Sequence, residues 1–367
     1  MKITRITVYQ VTLPLEHPYR LSGGRLYFDK LDSTIIAMDT DVGIRGWGEG
    51  CPWGSTYLPA FPRGVRAGIE ELAPQLIGLD PRRIDVVYRT MDMALPGHPY
   101  IKSALDMACW DILGKFTESP LCELFGGRID QEITIQNSVP TDTPEGMIES
   151  IKRGQARGEK VHTCKIGADV ALDIERIKAI GAYLPPDETA TFDVNRAWLV
   201  DEGMRVMNAV KEPILYFEQP CETYEECLQL RRLTNHAIIL DECIQAYGHI
   251  VRAQADNACE AIGLKIGRVG GLTKAKRIRD FCVETGIRMN IEVTGGSVIG
   301  DAGSVHLAQS TPPTHLRATW LCHEMLTVDT ATGGPRNRGG KTVAPDAPGL
   351  GVEPIVDVLG EAIAIYQ

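Results

Sequence analysis

Residues 2–12 alternate polar and apolar side chains, with Ile3, Ile6, Val8 and Val11 on the apolar side, which predicts a half-buried strand. A second strand is expected over 33–39. Asp41 to Gly43 then turns the chain into a third strand over 44–49. Beyond this the period lengthens. Residues 64–77 and 99–116 carry apolar side chains at helical spacing, with Ile101, Ala104, Leu105, Ala108 and Ile112 on one face. Strands followed by helices predict an α+β module over residues 1–130, closed by Gly126–Gly127.

The rhythm then changes again. Short apolar runs occur at 133–139, 161–167, 190–195, 214–220, 238–243, 261–267, 288–293 and 317–320, with helical stretches between them. Five of the runs carry a polar landmark near their ends, Lys165, Asp193, Glu218, Asp241 and Lys265, spaced about 25 residues apart. A strand–helix unit of that length repeated around a ring predicts a (β/α)8-type barrel over 131–325, following the α+β module. An open doubly wound sheet would need a Gly-rich phosphate turn after its first strand, and there is none.

Composition narrows the function. A hydrophobic share of 44% supports a packed core and excludes dominant disorder. Asp and Glu outnumber Lys and Arg by 48 to 38, a net charge of −10 that repels a phosphate backbone, so nucleic acid is not an expected partner. The ten cysteines form no CxxC pair, which reads as reduced thiols in a cytoplasm rather than a zinc site or a disulfide framework. The alternating N-terminus lacks a signal-peptide core, and no apolar run approaches the ~18 residues of a membrane span.

In such a barrel the C-terminal ends of the strands form the reactive face. Asp193, Glu218 and Asp241 fall there on three consecutive strands, close enough for three carboxylates to converge. Bare, they would repel one another. A hard divalent cation removes that cost, and an all-oxygen donor set suits Mg2+. Lys165 ends the strand before this triad and Lys265 the strand after it. A substrate carboxylate on the cation would lie between two amines, one facing each side of its α-carbon. The cation and the other amine would lower the pKa of each lysine toward the range of a general base.

The order Lys165, Asp193-x-Asn195, Glu218-Gln219-Pro220, Asp241-Glu242 and Lys265 followed by Gly270–Gly271 resembles the enolase superfamily, and within it the muconate-lactonising and mandelate racemase-like branch. The resemblance covers nearly the whole chain, including PGLGVEP at 348–354. It implies a (β/α)8-type barrel with residues 1–130 as an N-terminal α+β capping domain and residues 326–367 returning to that cap, Mg2+ on Asp193, Glu218 and Asp241, and proton transfer by Lys165 and Lys265 through an enediolate. By analogy Lys265 serves the L-face of the substrate and Lys165 the D-face. The sequence departs from the family at Thr163, where a further lysine is usual.

The aromatics Tyr19, Tyr27, Trp53, Tyr57 and Phe61 lie in early loops, and Trp320 ends the eighth run. Such faces suit a substrate ammonium. The eighth run lacks the Asp-x-Asp that related dipeptide epimerases carry. With Thr294-Gly295-Gly296 after the seventh run, the pattern resembles the branch acting on proline derivatives. That resemblance implies Mg2+-dependent dehydration of cis-3-hydroxy-L-proline to Δ1-pyrroline-2-carboxylate, with Tyr57, Trp320, Thr294 and Asn195 touching the substrate. The alternative is 2-epimerisation of proline betaine, hydroxyproline betaine or another cyclic amino acid, which begins from the same carbanion. A Schiff-base aldolase would have no use for three carboxylates, and a binding protein no use for both lysines. A homo-oligomer working on a small molecule, away from membranes, is expected.

Overall fold

The computed structural model describes residues 1–367 apart from 168 and 212. The cap is a four-stranded antiparallel sheet in the order Ala364–Tyr366, Ile3–Leu21, Leu26–Thr40, Arg45–Gly50. The last strand of the chain thus lies beside Ile6–Val8. The first hairpin runs well past the predicted strands. Pro14, Glu16, His17 and Pro18 interrupt the alternation, and the pairing shifts register between Pro14 and Tyr19 before it resumes up to the tip at Ser22–Gly24.

Three helices, Pro62–Leu76, Ile84–Ala94 and Pro99–Phe116, cover the cap sheet. The last coincides with the predicted span, whereas Ile84–Ala94 was not expected. Glycine sets how closely Pro99–Phe116 lies on the third strand. A Cβ at Gly46 would stand 2.3 Å from the Ala108 carbonyl oxygen, and one at Gly48 2.0 Å from that of Ala104.

Eight parallel strands form the barrel sheet: Gln136–Val139, Val161–Lys165, Thr189–Asp193, Tyr216–Glu218, Ala237–Leu240, Ala261–Lys265, Arg288–Glu292 and Leu316–Ala318, in sequential order. Each lies inside or overlaps one of the eight expected runs. The first run is divided, because Ile133–Thr134 pairs antiparallel with Lys341–Thr342. Ile135 then bridges Thr319, and Gln136 N–H donates to the Thr319 carbonyl at 2.8 Å, which joins the first strand to the eighth. Helices of nine or more residues follow the first seven strands. After the eighth the described residues form the 3-10 turn Cys322–Met325 in place of a helix of that length. The segment beyond it, rich in Gly and Pro with no helical period, leaves the barrel for the cap.

Phe192, Phe217, Ile238 and Ile262 fill the barrel core, while Ile6, Ile36, Ile69 and Leu105 fill a second core between the cap sheet and its helices. All ten cysteines are free, and nine are buried. Among the described residues no helix is long and apolar enough to cross a membrane.

Candidate active site

Strand register builds the site. Lys165 pairs with Asp193, and Asp193 with Glu218, so three side chains stand in one row across the second, third and fourth barrel strands. Asp241 follows the fifth strand directly. Lys265 pairs with Glu292 across the sixth and seventh strands. The second and sixth strands are half a turn apart in an eight-stranded ring, so the two lysines face each other across its mouth.

Backbone and amide contacts stiffen the strand ends. Asn195 N–H donates to Asp193 Oδ1 at 2.9 Å, and Asp241 N–H to Gln219 Oε1 at 3.0 Å. Asn195 and Gln219 hold left-handed φ values of 45° and 35°, an uncommon conformation for residues with a side chain, fixed here by the surrounding hydrogen bonds.

The three carboxylates are buried at the same face, but their side chains do not meet at one point. Among the described residues no three acidic, His or Cys side chains stand as a metal-ligand set. Like charges this close seek cations instead. Asp193 pairs with the Lys165 ammonium. Asp241 accepts from Lys265 Nζ at 2.6 Å and from Arg268 Nη2 at 2.7 Å. Glu218 keeps one buried oxygen, Oε2, without a partner. Burial, then Asp193 and Asp241, push its carboxyl well above the usual range. Asp241 moves the opposite way: burial would raise it, but Arg268 and Lys265 outweigh that and hold it well below the carboxylate range. An unsatisfied carboxylate oxygen between two acidic neighbours, in an all-oxygen donor set, fits a hard cation such as Mg2+.

Paired with these carboxylates, both lysines stand above their ordinary pKa. Burial alone would lower them. Asp193, with Tyr19 and Glu218, outweighs it at Lys165, and Asp241 with Glu292 outweighs it at Lys265.

Above this floor lies a small pocket. Of the side chains named from the sequence, Lys165, Lys265, Glu218, Asn195, Tyr57, Thr294 and Trp320 line it. Asp193 and Asp241 lie in the floor beneath. Tyr57 donates to Asp241 Oδ2 at 3.3 Å, Thr294 shares a 2.8 Å hydrogen bond with Tyr100, and Asn195 donates to Glu242 at 3.1 Å. Trp320 packs on Trp53 with ring centroids 5.8 Å apart, and Trp53 meets Tyr19 and Phe28 edge-on. The other early aromatics do not join them: Tyr27 and Phe61 are each 52% exposed, because they point outward from the hairpin and from the start of a cap helix.

Several lining residues escaped the sequence reading. Glu292 ends the seventh strand and obeys the same strand-end rule that found Asp193 and Lys265. Its Oε1 lies 3.4 Å from Lys265 Nζ, and its Oε2 accepts from Gln136 at 2.9 Å. The Gln136 carbonyl accepts from Thr163 at 3.0 Å, so the position that departs from the family carries a bound hydroxyl in place of a charge. Ser138, on the first barrel strand, hydrogen-bonds Tyr19, one of the early aromatics named from the sequence. Burial raises the Tyr19 phenol above the ordinary value despite the nearby Lys165, so it remains a hydrogen-bond donor. Arg268, one turn past Lys265, gave no signal in the sequence.

Comparison with known proteins agrees with this geometry. The pattern described as "Mandelate racemase / muconate lactonizing enzyme, N-terminal domain" matches residues 3–126, and "Enolase C-terminal domain-like" matches 146–358. The chain is 44% identical to cis-3-hydroxy-L-proline dehydratase of Roseibium aggregatum, covering 100% of both proteins. It is 27% identical to N-succinyl-L-Arg/Lys racemase of Bacillus cereus, over 84% of this chain and 85% of that one. A crystal structure of an enolase superfamily member from Roseovarius nubinhibens, complexed with magnesium, superposes with a TM-score of 0.95 at 48% identity, covering 100% of this chain and 99% of the other.

Proposed function

Because the chain belongs to the enolase superfamily, in its mandelate racemase and muconate-lactonising branch, we propose that it is a hydro-lyase that converts cis-3-hydroxy-L-proline to Δ1-pyrroline-2-carboxylate. Two lysines facing each other over a carboxylate floor carry this reading, and the full-length likeness to a dehydratase supports the substrate. Asp193, Glu218 and Asp241 would hold Mg2+, which when bound supplies Lewis acidity to the substrate carboxylate. Glu292, Tyr57 and Trp320 line the pocket, and their carboxylate and aromatic rings would attract the ring ammonium.

In cis-3-hydroxy-L-proline the hydroxyl shares a ring face with the carboxylate, so the α-hydrogen lies on the other face. Base and acid must therefore come from opposite sides. With Asp241 engaged by the cation, Lys265 would lose the carboxylate that holds its pKa up and, neutral, take the α-proton; the electron pair left at Cα forms the Cα–C3 double bond as the C3–O bond breaks. The Lys165 ammonium gives its proton to the departing oxygen, which leaves as water. The resulting enamine takes a proton on C3 and becomes the imine. If Lys165 instead protonates Cα from the far face, the outcome is 2-epimerisation, and the second lysine supports that as a side reaction. Free thiols and an acidic surface fit a cytoplasmic enzyme acting on a small molecule.

Incubation of the Mg2+-loaded protein with cis-3-hydroxy-L-proline, followed by NMR, tests the reading. Formation of Δ1-pyrroline-2-carboxylate is the expected result. Accumulation of the 2-epimer alone would transfer the assignment to the epimerases.

A further inference from the structure

The pocket wall on the Lys165 side is built of uncharged hydrogen-bonding groups. Thr163 stands two residues before Lys165 on the same strand, so both point into the barrel mouth. Gln136 and Ser138 have the same relation on the neighbouring first strand. The cap closes this wall with Tyr19, whose phenol hydrogen-bonds Ser138 and whose ring is fixed edge-on against Trp53 at 5.7 Å. Tyr19 is buried and close enough to Lys165 for the two to influence each other's charge.

Resting on the dehydratase reading above, we propose that the Tyr19–Ser138 pair is the subsite for the leaving hydroxyl and determines that the bound amino acid loses water rather than only exchanging its α-proton. Four features converge on this. The 3-hydroxyl of the cis substrate projects on the face opposite Lys265, which is the face of Lys165 and Tyr19. A hydroxyl is both donor and acceptor, and a paired phenol and serine offer the complementary acceptor and donor. With no charged group of its own, the pair does not compete with Lys165 for the proton it delivers. Lastly, Tyr19 comes from the cap and Ser138 from the barrel, so the subsite exists only when the cap hairpin is docked on the barrel.

The step itself is the elimination already described. Lys265 removes the α-proton, the C3–O bond breaks with its electron pair on oxygen, and Lys165 supplies the proton that makes water. Tyr19 forms no covalent bond. It holds the oxygen in line with the Lys165 ammonium by a hydrogen bond that strengthens as charge builds there.

The test measures two fates of the same carbanion. The Mg2+ enzyme is incubated with cis-3-hydroxy-L-proline in D2O, and the pyrroline formed is compared with the α-deuterium in recovered substrate. Tyr19→Phe keeps the ring and its packing but removes the hydroxyl. It should lower elimination about 100-fold, the scale of one transition-state hydrogen bond, while α-exchange stays within a few-fold of the parent. Ser138→Ala should move the ratio the same way by roughly 10-fold. Elimination and exchange falling together in both variants, at unchanged thermal midpoint, would overturn the subsite. So would elimination unchanged in both. Failure of the parent enzyme to form pyrroline would instead overturn the dehydratase reading, so the two failures are distinct.

Discussion

The two sides of the pocket share a geometry but not a chemistry. Each offers a lysine paired to a floor carboxylate, Lys165 with Asp193 and Lys265 with Asp241. Around Lys265 the next neighbours are charged, with Glu292 at 3.4 Å and Arg268 on the far oxygen of Asp241 at 2.7 Å. Around Lys165 they are neutral hydroxyls and an amide: Thr163, Ser138, Tyr19 and Gln136. Gln136 spans the two, donating to Glu292 and accepting from Thr163. A symmetric pair of lysines would suit racemisation, where both faces do the same work. Unequal surroundings suit a reaction in which one face gives up a proton and the other releases an oxygen.

Several substitutions break or sharpen this contrast. The floor serves both sides, so its loss should be the most severe. Chelation with EDTA should abolish exchange and elimination alike, with recovery on added Mg2+, and Glu218→Gln should not recover. NMR of the reaction in D2O reads both. Lys265→Ala comes next. Removing the base should depress both α-exchange and pyrroline formation by roughly 10²–10⁴-fold, the usual worth of a positioned base. If exchange of the L-substrate survived in this variant, the sides would have been assigned the wrong way round.

Glu292→Gln tests the charged side from its rim. A lost charge-assisted hydrogen bond to the ring ammonium costs about 1.5–3 kcal/mol, which should show mainly as a higher KM. An unchanged KM would remove Glu292 from the ammonium's surroundings. Trp320→Ala should have the smallest effect. Loss of one aromatic face weakens substrate binding by about 0.5–2 kcal/mol, with Trp320→Phe milder. Because Trp320 also packs on Trp53, the thermal midpoint should be recorded with the kinetics to separate binding from packing.

The carboxylate floor and the two lysines were more legible in the sequence than the neutral wall. Lys165, Asp193, Glu218, Asp241 and Lys265 are each placed by a local rule, a polar residue closing an apolar strand, and that rule also yields the barrel. Glu292 obeys it too and was passed over, because the run RMNIEV reads as continuous past it. The neutral side depends on contacts between distant parts of the chain. Tyr19 reaches Ser138 across 119 positions, and the strand carrying it passes through two prolines that hide its alternation. The helix Ile84–Ala94 was missed for a related reason, since it is short and buries only Val87, Tyr88 and Met91. Side-chain pairing was the least legible. Nothing in the sequence showed that Asp193 and Asp241 would each turn to a lysine and raise its pKa.

The unequal roles of the two lysines are tested most directly by Lys165→Ala in D2O with cis-3-hydroxy-L-proline. Lys265 is intact in this variant, so α-deuterium should still enter the recovered substrate at near the parental rate, while pyrroline formation falls by roughly 10²–10⁴-fold for want of an acid on the hydroxyl's face. Loss of exchange together with elimination, or pyrroline formation at the parental rate, would contradict the division of labour between the two sides.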